Sequence, residues 1–365
     1  MKATPRFALS QPPTAWKRLG LVIERGQPGS FDSSVTGDPC VVWDSGQGCY
    51  RMFYFGQKHV DNQEVNVNAH ALGRFGPALP PNSWQKLGPI EYANPDDLLG
   101  DAHKPWVVMD PYWPHMPVQI AGDYWLFTTV WHRKIKRIQV ATSASLAGPW
   151  KVRPDPVLDL GQEGEFDSYH TDTVTAYWFE QRQQILLFYK GYPRHPLPDQ
   201  PHSPYGSSSA AAAMCADDKK AQKLGKVISP GPADHWLAGW VGGLQLFPAA
   251  KGGWYGLING SPTSPDPVDV EPDMREPAPS LGGWAYTPED WPVRGWEADS
   301  SPIEWIEDIP AEARANGEGV NVWRHHGFVT SEGTMYLLYN SGPYGKERMF
   351  MRSALRSNII MPFSR

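Results

Sequence analysis

The stretch Gly29-Ser30-Phe31-Asp32-Ser33-Ser34-Val35-Thr36-Gly37-Asp38-Pro39-Cys40-Val41-Val42-Trp43 recurs about 135 residues later as Gly164-Glu165-Phe166-Asp167-Ser168-Tyr169-His170-Thr171-Asp172-Thr173-Val174. Both copies run Gly, one residue, Phe-Asp-Ser, a polar spacer, an Asp and an apolar run. Each apolar run meets a polar turn (residues 44–48 and 180–184) and then a second, aromatic run (residues 50–54 and 185–189). Two apolar runs around a turn predict a β-hairpin.

The same strand–turn–aromatic-strand unit returns at 116–120 with 124–128, at 243–247 with 254–258, and at 327–329 with 335–339. Five units thus follow one another at intervals of roughly 60 to 80 residues. Such a repeat, in which no unit buries both faces alone, predicts a ring or stack of like sheets. With 37 Pro and 35 Gly spread along the chain, helices must be few and short. The expected fold is all-β: a single five-bladed β-propeller over residues 1–365, with one blade per unit. It has a lead-in at 1–20 and blades near 21–90, 91–155, 156–225, 226–310 and 311–365. Residues 21–23 also read as a strand that joins a later sheet. Insertions are expected at 91–112, 190–208 and 262–322, the last a candidate rim or lid.

Composition excludes several classes. A net charge of −6 without clustered Lys and Arg argues against nucleic acid. No apolar run approaches a membrane span. Three cysteines (Cys40, Cys49, Cys215) give neither a disulfide framework nor paired metal spacing. Cys40 and Cys49 are expected to be free core thiols. Residues 1–20 lack the apolar core of a signal peptide. A cytoplasmic location is therefore expected, or a secreted one if a leader has been removed. The 17 Trp are expected both in the core and along a wet pocket where rings stack on a ligand.

In a propeller the start of each innermost strand points into a central funnel. The expected entries are Asp38, residues 113–115, Asp172, residues 240–242 and residues 324–326. Asp38 and Asp172, at matching places in blades one and three, offer the carboxylates that glycoside hydrolysis needs. One activates water while another group protonates the leaving oxygen, and in inverting enzymes the pair stands ~6.5–9.5 Å apart. A further Asp can orient the acid and raise its pKa.

The string Asp38-Pro39-Cys40-Val41-Val42-Trp43 with Tyr50-Arg51-Met52-Phe53-Tyr54 resembles the opening of family 43-like glycoside hydrolases. These are five-bladed propellers related to arabinanases, invertases and family 117 enzymes. Trp113 matches their blade-two Trp. Arg324-His325-His326-Gly327-Phe328 resembles their blade-five Gly-His-His motif, and Asn340-Ser341-Gly342 with Glu347-Arg348-Met349 their last hairpin. The resemblance covers roughly residues 20–355. It implies a glycoside hydrolase, expected to be inverting, with Asp38 as general base and Asp172 tuning the acid. The aromatics and acidic balance suit a neutral carbohydrate or short oligosaccharide, and long rim insertions that narrow the funnel favour exo-action. The resemblance also implies a central Ca ion or water faced by His325, with His326 the alternative. The family's blade-four acidic Glu has no counterpart, since residues 241–243 are Val-Gly-Gly. Family 117-like enzymes use a His as acid, which makes His235 the candidate, with His170 and His115 behind it. A His acid suits neutral chemistry because its ordinary pKa is about 6.5.

Substrate contacts are expected from Trp113, His115, Asp101, His103, His170 and Arg324. A zinc site from His103, Asp101 and His170 has no motif spacing behind it. Two other functions fit the same residues. One is a phosphate-dependent phosphorylase using Lys104, Arg324, His325 and Lys346. The other is a non-catalytic carbohydrate-binding propeller.

Overall fold

A computed structural model describes residues 7–61, 63–74, 84–263, 280–303, 309–319, 322–330, 333–343, 345–354 and 359–360. Five antiparallel sheets form the blades of a β-propeller. Blade one is Val35–Asp44, Cys49–Val60, Gln63–Gly73 and Gln85–Pro89, paired in that order. Blade three begins His170–Phe179, Gln184–Tyr192, Ser208–Met214 and ends Gln222–Ile228. Blade four is Trp240–Pro248, Trp254–Ser261, Leu281–Thr287 and Glu297–Ala298. Part of the expected 262–322 insertion is thus the outer half of this blade, and residues 264–279 and 304–308 of it lie outside the described residues.

Blade five is Val322–Val329, Met335–Ser341 and Arg348–Ala354, and its outer strand is Trp16–Ile23 from the start of the chain. The lead-in therefore closes the ring, so that the two ends of the sequence share one sheet. The expected boundary of blade one at residue 21 falls inside this strand, and blade one starts at Val35.

Blade two corrects the expected inner strand. The strand against Asp123–His132 is Ala102–Val107, continued by Gln119–Ile120. Residues 108–118 leave the sheet between these pieces. They form the small strands Met109–Asp110 and Trp113–Pro117, which pair with each other, and Met109 bridges to blade three. The expected insertion at 91–112 thus contains the innermost strand of a blade.

A girdle of hydrogen bonds joins neighbouring inner strands. Val107 N donates to Cys40 Sγ at 3.4 Å, and Trp106 Nε1 donates to Ala176 O at 3.2 Å. Thr175 Oγ1 donates to Leu244 O at 2.5 Å, and Gln245 Nε2 to Gly327 O at 2.6 Å. Val41 N donates to His326 Nε2 at 3.1 Å, which closes the circuit. These buried bonds satisfy polar groups that alternation would otherwise strand between sheets. Cys40 and Cys49 are buried free thiols, and Cys215 is an exposed one. Among the described residues no helix is long and apolar enough to cross a membrane.

The repeated Gly-x-Phe-Asp-Ser loops precede the inner strands of blades one and three, and each seats its Phe and Asp on a glycine of the second strand. A Cβ on Gly56 would stand 2.6 Å from Asp32 Cβ and 2.7 Å from the Phe31 ring; one on Gly191 would stand 2.7 Å from both Asp167 Cβ and the Phe166 ring. Lys86 on the outer strand of blade one reaches Asp32 at 2.6 Å, and Lys223 on that of blade three reaches Asp167 at 2.7 Å. Both aspartates therefore brace loops. Gly191→Ala should lower stability by about 1–3 kcal/mol through overpacking, read as a lower urea midpoint at unchanged m-value.

Blade four holds a third copy that residue identity conceals. Gly26 N and Gly161 N donate to a carbonyl six residues on, Asp32 O (3.0 Å) and Asp167 O (3.1 Å), and Gly231 N does the same to Leu237 O at 3.1 Å. Trp236 and Leu237 replace Phe and Asp there. His235 then occupies the loop position of Ser30 and Glu165.

Candidate active site

Every inner strand carries a bulge at the same depth, where two residues oppose one. The unpaired residues are 38–39, 104–105, 173–174, 242–243 and 324–325. Pro39 and Pro105 fit because a bulge asks for no ladder N–H. Asp38, Lys104 and Thr173 hold left-handed backbone there, with φ of 50°, 56° and 47°. Left-handed non-glycine residues are uncommon and concentrate at functional sites. One ring of the funnel is therefore Asp38, Lys104, Thr173, Gly242 and Arg324. Asp38 matches Thr173, and Asp172 matches Gly37 one step back. The two aspartates are offset by one residue, which corrects the equivalence expected from sequence.

A pocket of about 900 Å³, counting space open to solvent, lies over this ring. Asp38, His103, Lys104, Thr173 and Gly242 line it. Its wall also contains Glu64, Trp131, Lys136 and Lys190, which the sequence reading had not singled out, and Asn340 and Glu347, which it had placed in the last hairpin but not at the site.

Asp38 is buried to 5 % exposure, and its N–H donates to Asn340 Oδ1 at 3.3 Å. Asp172 lies fully buried just behind the wall. It accepts from Lys104 Nζ (2.7 Å), Lys136 Nζ (3.3 Å), Thr129 Oγ1 (3.1 Å) and Thr173 N (2.6 Å). Burial alone would raise its pKa, but the two ammonium groups hold it well below the usual carboxylate range. Lys136 is pushed down to about 7 by burial, with Asp172 opposing.

His103 lines the pocket and stacks on Trp131 with ring centres 6.2 Å apart. Burial keeps its pKa well below the ordinary value, so it is a neutral hydrogen-bonding group. His170 sits behind Lys136, whose backbone N donates to its Nδ1 at 3.0 Å, and burial pushes its pKa to about 2. Asp101 accepts from Asn66 N at 3.0 Å and so ties blade two to blade one beside the pocket. Asp101, His103 and His170 do not form a zinc site: among the described residues no group of three or more His, Cys, Asp or Glu is placed to hold a metal ion.

The other candidates stand elsewhere. Trp113 packs edge-on to Phe7 at 6.1 Å and donates to His115 in the excursion from blade two. It belongs to the apolar cluster around Phe247, Val329 and Met335. His115 is buried beside it and held to a pKa of about 3 by burial. The aromatic platform in the funnel is Trp131 instead. His235 lies on the loop before blade four, where its Nε2 meets Asp299 O at 3.1 Å, and it does not line the funnel. His325 presses its ring onto Gly282, where a Cβ would come within 2.4 Å, and burial holds its pKa at about 3. His326 is engaged in the girdle. Among the described residues no group of three or more His, Cys, Asp or Glu surrounds either histidine in a way that would hold an ion. Arg324 lies in Val322–Val329, with its side chain outside the described residues. Lys346 is exposed, between Gly345 and Glu347 of the pocket wall. Lys104, Lys136 and Lys190 line the pocket together.

Sequence alternation held a signal for two of these. Lys136 shares a face with Ile138 and Val140, and Lys190 with Leu186 and Phe188. A lysine on an apolar face implies a buried ammonium with a reason to be there.

No protein-family model matches the sequence, and no curated protein is similar to it. Solved structures do share the fold. One is described as a glycoside hydrolase, with a TM-score of 0.65 and 14% identity over 98% of this chain and 94% of that one. Another belongs to work on family 130, described as mannoside phosphorylases containing glycoside hydrolases that target β-1,2 mannosidic linkages in Candida mannan. Its TM-score is 0.58, at 15% identity over 96% of both chains. A third is a thermostable family-43 glycoside hydrolase, with a TM-score of 0.58 and 14% identity over 90% of this chain and 91% of that one. The likeness is one of fold, a five-bladed β-propeller.

Proposed function

We propose that the protein is an inverting glycoside hydrolase acting on an oligosaccharide end, with Asp38 as general base. What supports this most is the placement of Asp38 on the funnel ring, in strained backbone, opposite a wall of hydrogen-bonding and aromatic groups. A water held by Asp38 loses its proton as it attacks the anomeric carbon. A second group must protonate the leaving oxygen. Glu347 takes that role: it is a buried carboxyl on the pocket wall, and its backbone carbonyl accepts from Thr36 N at 3.1 Å, beside Asp38. Asp172 fixes Lys104 and Lys136 and so shapes the far wall. Trp131 offers a ring face to the sugar.

The test is turnover in phosphate-free buffer by the wild-type chain and Asp38→Asn. Activity that needs no phosphate and is lost in the variant supports hydrolysis. Activity that needs phosphate makes the protein a phosphorylase, and activity that survives the variant removes Asp38 from the chemistry.

A further inference from the structure

We propose that the funnel takes an acidic sugar, a uronate whose carboxylate is bound by Lys190 on the blade-three wall. This rests on the hydrolase reading above and names its substrate class.

Lys190 lines the pocket at 7 % exposure. Its Nζ lies 4.0 Å from the centre of the Trp240 ring and 4.6 Å from that of Tyr192. These faces tolerate a cation but accept no conventional hydrogen bond. Among the described residues no acceptor stands within hydrogen-bond reach of this ammonium, which has three N–H groups to place. A buried ammonium left so is costly unless something else supplies an oxyanion. Burial holds its pKa well below the ordinary lysine value, with Asp172 opposing and Lys104 and Lys136 adding to the depression. An arriving anion would favour its charged form.

The charges of the wall are sorted by side. Lys104, Lys136 and Lys190 stand on blades two and three around Asp172, whose two ammonium partners are Lys104 and Lys136. The more distant Asp38 also acts on Lys136 and Lys190 across the ring. Asp38, Glu64 and Glu347 stand on blades one and five. Among the described residues the neighbouring wall of blade four adds no charge: it presents Gly242, against which the Asn259 side chain is packed, with Oδ1 only 2.1 Å from where a Cβ would be. Lys190 thus faces a gap that an anion on the ligand completes.

Two sources could bring that oxyanion. Phosphate acting as nucleophile would have to stand where water stands, at Asp38, and be repelled by Asp38 and Glu64. A carboxylate on the sugar ring reaches the lysine wall while the anomeric carbon stays at the acidic wall. The sorting of charge favours the carboxylate.

Isothermal titration calorimetry on the full chain tests this with D-galacturonate, D-glucuronate, D-galactose, D-glucose and inorganic phosphate. One uronate should bind at least tenfold more tightly than its neutral hexose, and Lys190→Met should erase that difference while Lys190→Arg keeps part of it. Uronates no tighter than the neutral sugars overturn the proposal, and so does phosphate binding without uronate binding. The wild-type comparison decides the matter even if the variants fail to fold. The two readings fail separately. Asp38-dependent hydrolysis of neutral glycosides without uronate preference sinks the acidic sugar alone. Uronate affinity without Asp38-dependent turnover of any uronide sinks hydrolysis alone.

Discussion

Asp38→Asn lowers turnover by about 10²–10⁴-fold, while affinity for the oligosaccharide stays within a few-fold of wild type. The amide keeps the shape of the carboxylate and can still accept a hydrogen bond, so the sugar loses no contact of consequence. What disappears is the capacity to take the proton of water as the new bond forms. An interaction made only in the transition state affects kcat and kcat/KM alike. Asparagine also tolerates left-handed backbone as well as aspartate does, so the φ of 50° at this bulge is not a reason for the variant to misfold. Steady-state kinetics and calorimetry on the same preparation separate the outcomes. A binding module would show unchanged affinity with no turnover in either protein.

The second large effect is on stability. Asp172→Asn should cost about 3–5 kcal/mol, the cost of leaving a buried charge uncompensated. Asp172 is fully buried, and its removal as a charge strands the Lys104 and Lys136 ammonium groups on one another. The pH dependence has a definite sign. The folded-state pKa of Asp172 is depressed, so its contribution is complete above the unfolded value of about 3.9. It is lost as pH falls through the lower folded value. Wild-type stability should therefore drop below about pH 4, and Asp172→Asn should show a shallower acid decline from a lower plateau. Urea titrations at pH 7 and pH 3 read both. An unchanged midpoint at pH 7 would mean that the lysines find other partners.

The propeller was legible because its signal is repeated. Apolar runs around polar turns returned five times, and the Phe-Asp-Ser loops marked two inner strands. Blade two was misread because an excursion splits its inner strand, and the run at 116–120 supplied a plausible hairpin of its own. The third loop copy escaped because its backbone bonding is kept while Phe-Asp became Trp-Leu. That loss also explains His235: judged by its nearness to blade four in sequence it was a candidate acid, yet it stands where Ser30 stands. Asp38 and His103 were visible at the pocket wall, and Asp172 just behind it. Strand alternation marks Lys136 and Lys190 as lysines on apolar faces, but where they and Glu347 meet is not legible, since three-dimensional convergence from separate blades leaves no spacing to read. Asp172 was placed one residue off, because a bulge position is set by hydrogen-bond register rather than by the residues flanking it.

Proton NMR of the first sugar released, recorded before mutarotation, tests the central claim most directly. Water delivered by Asp38 to the face opposite the leaving group must give a reducing sugar of inverted anomeric configuration. Retention of configuration would require a covalent intermediate on the enzyme and would contradict the role assigned to Asp38.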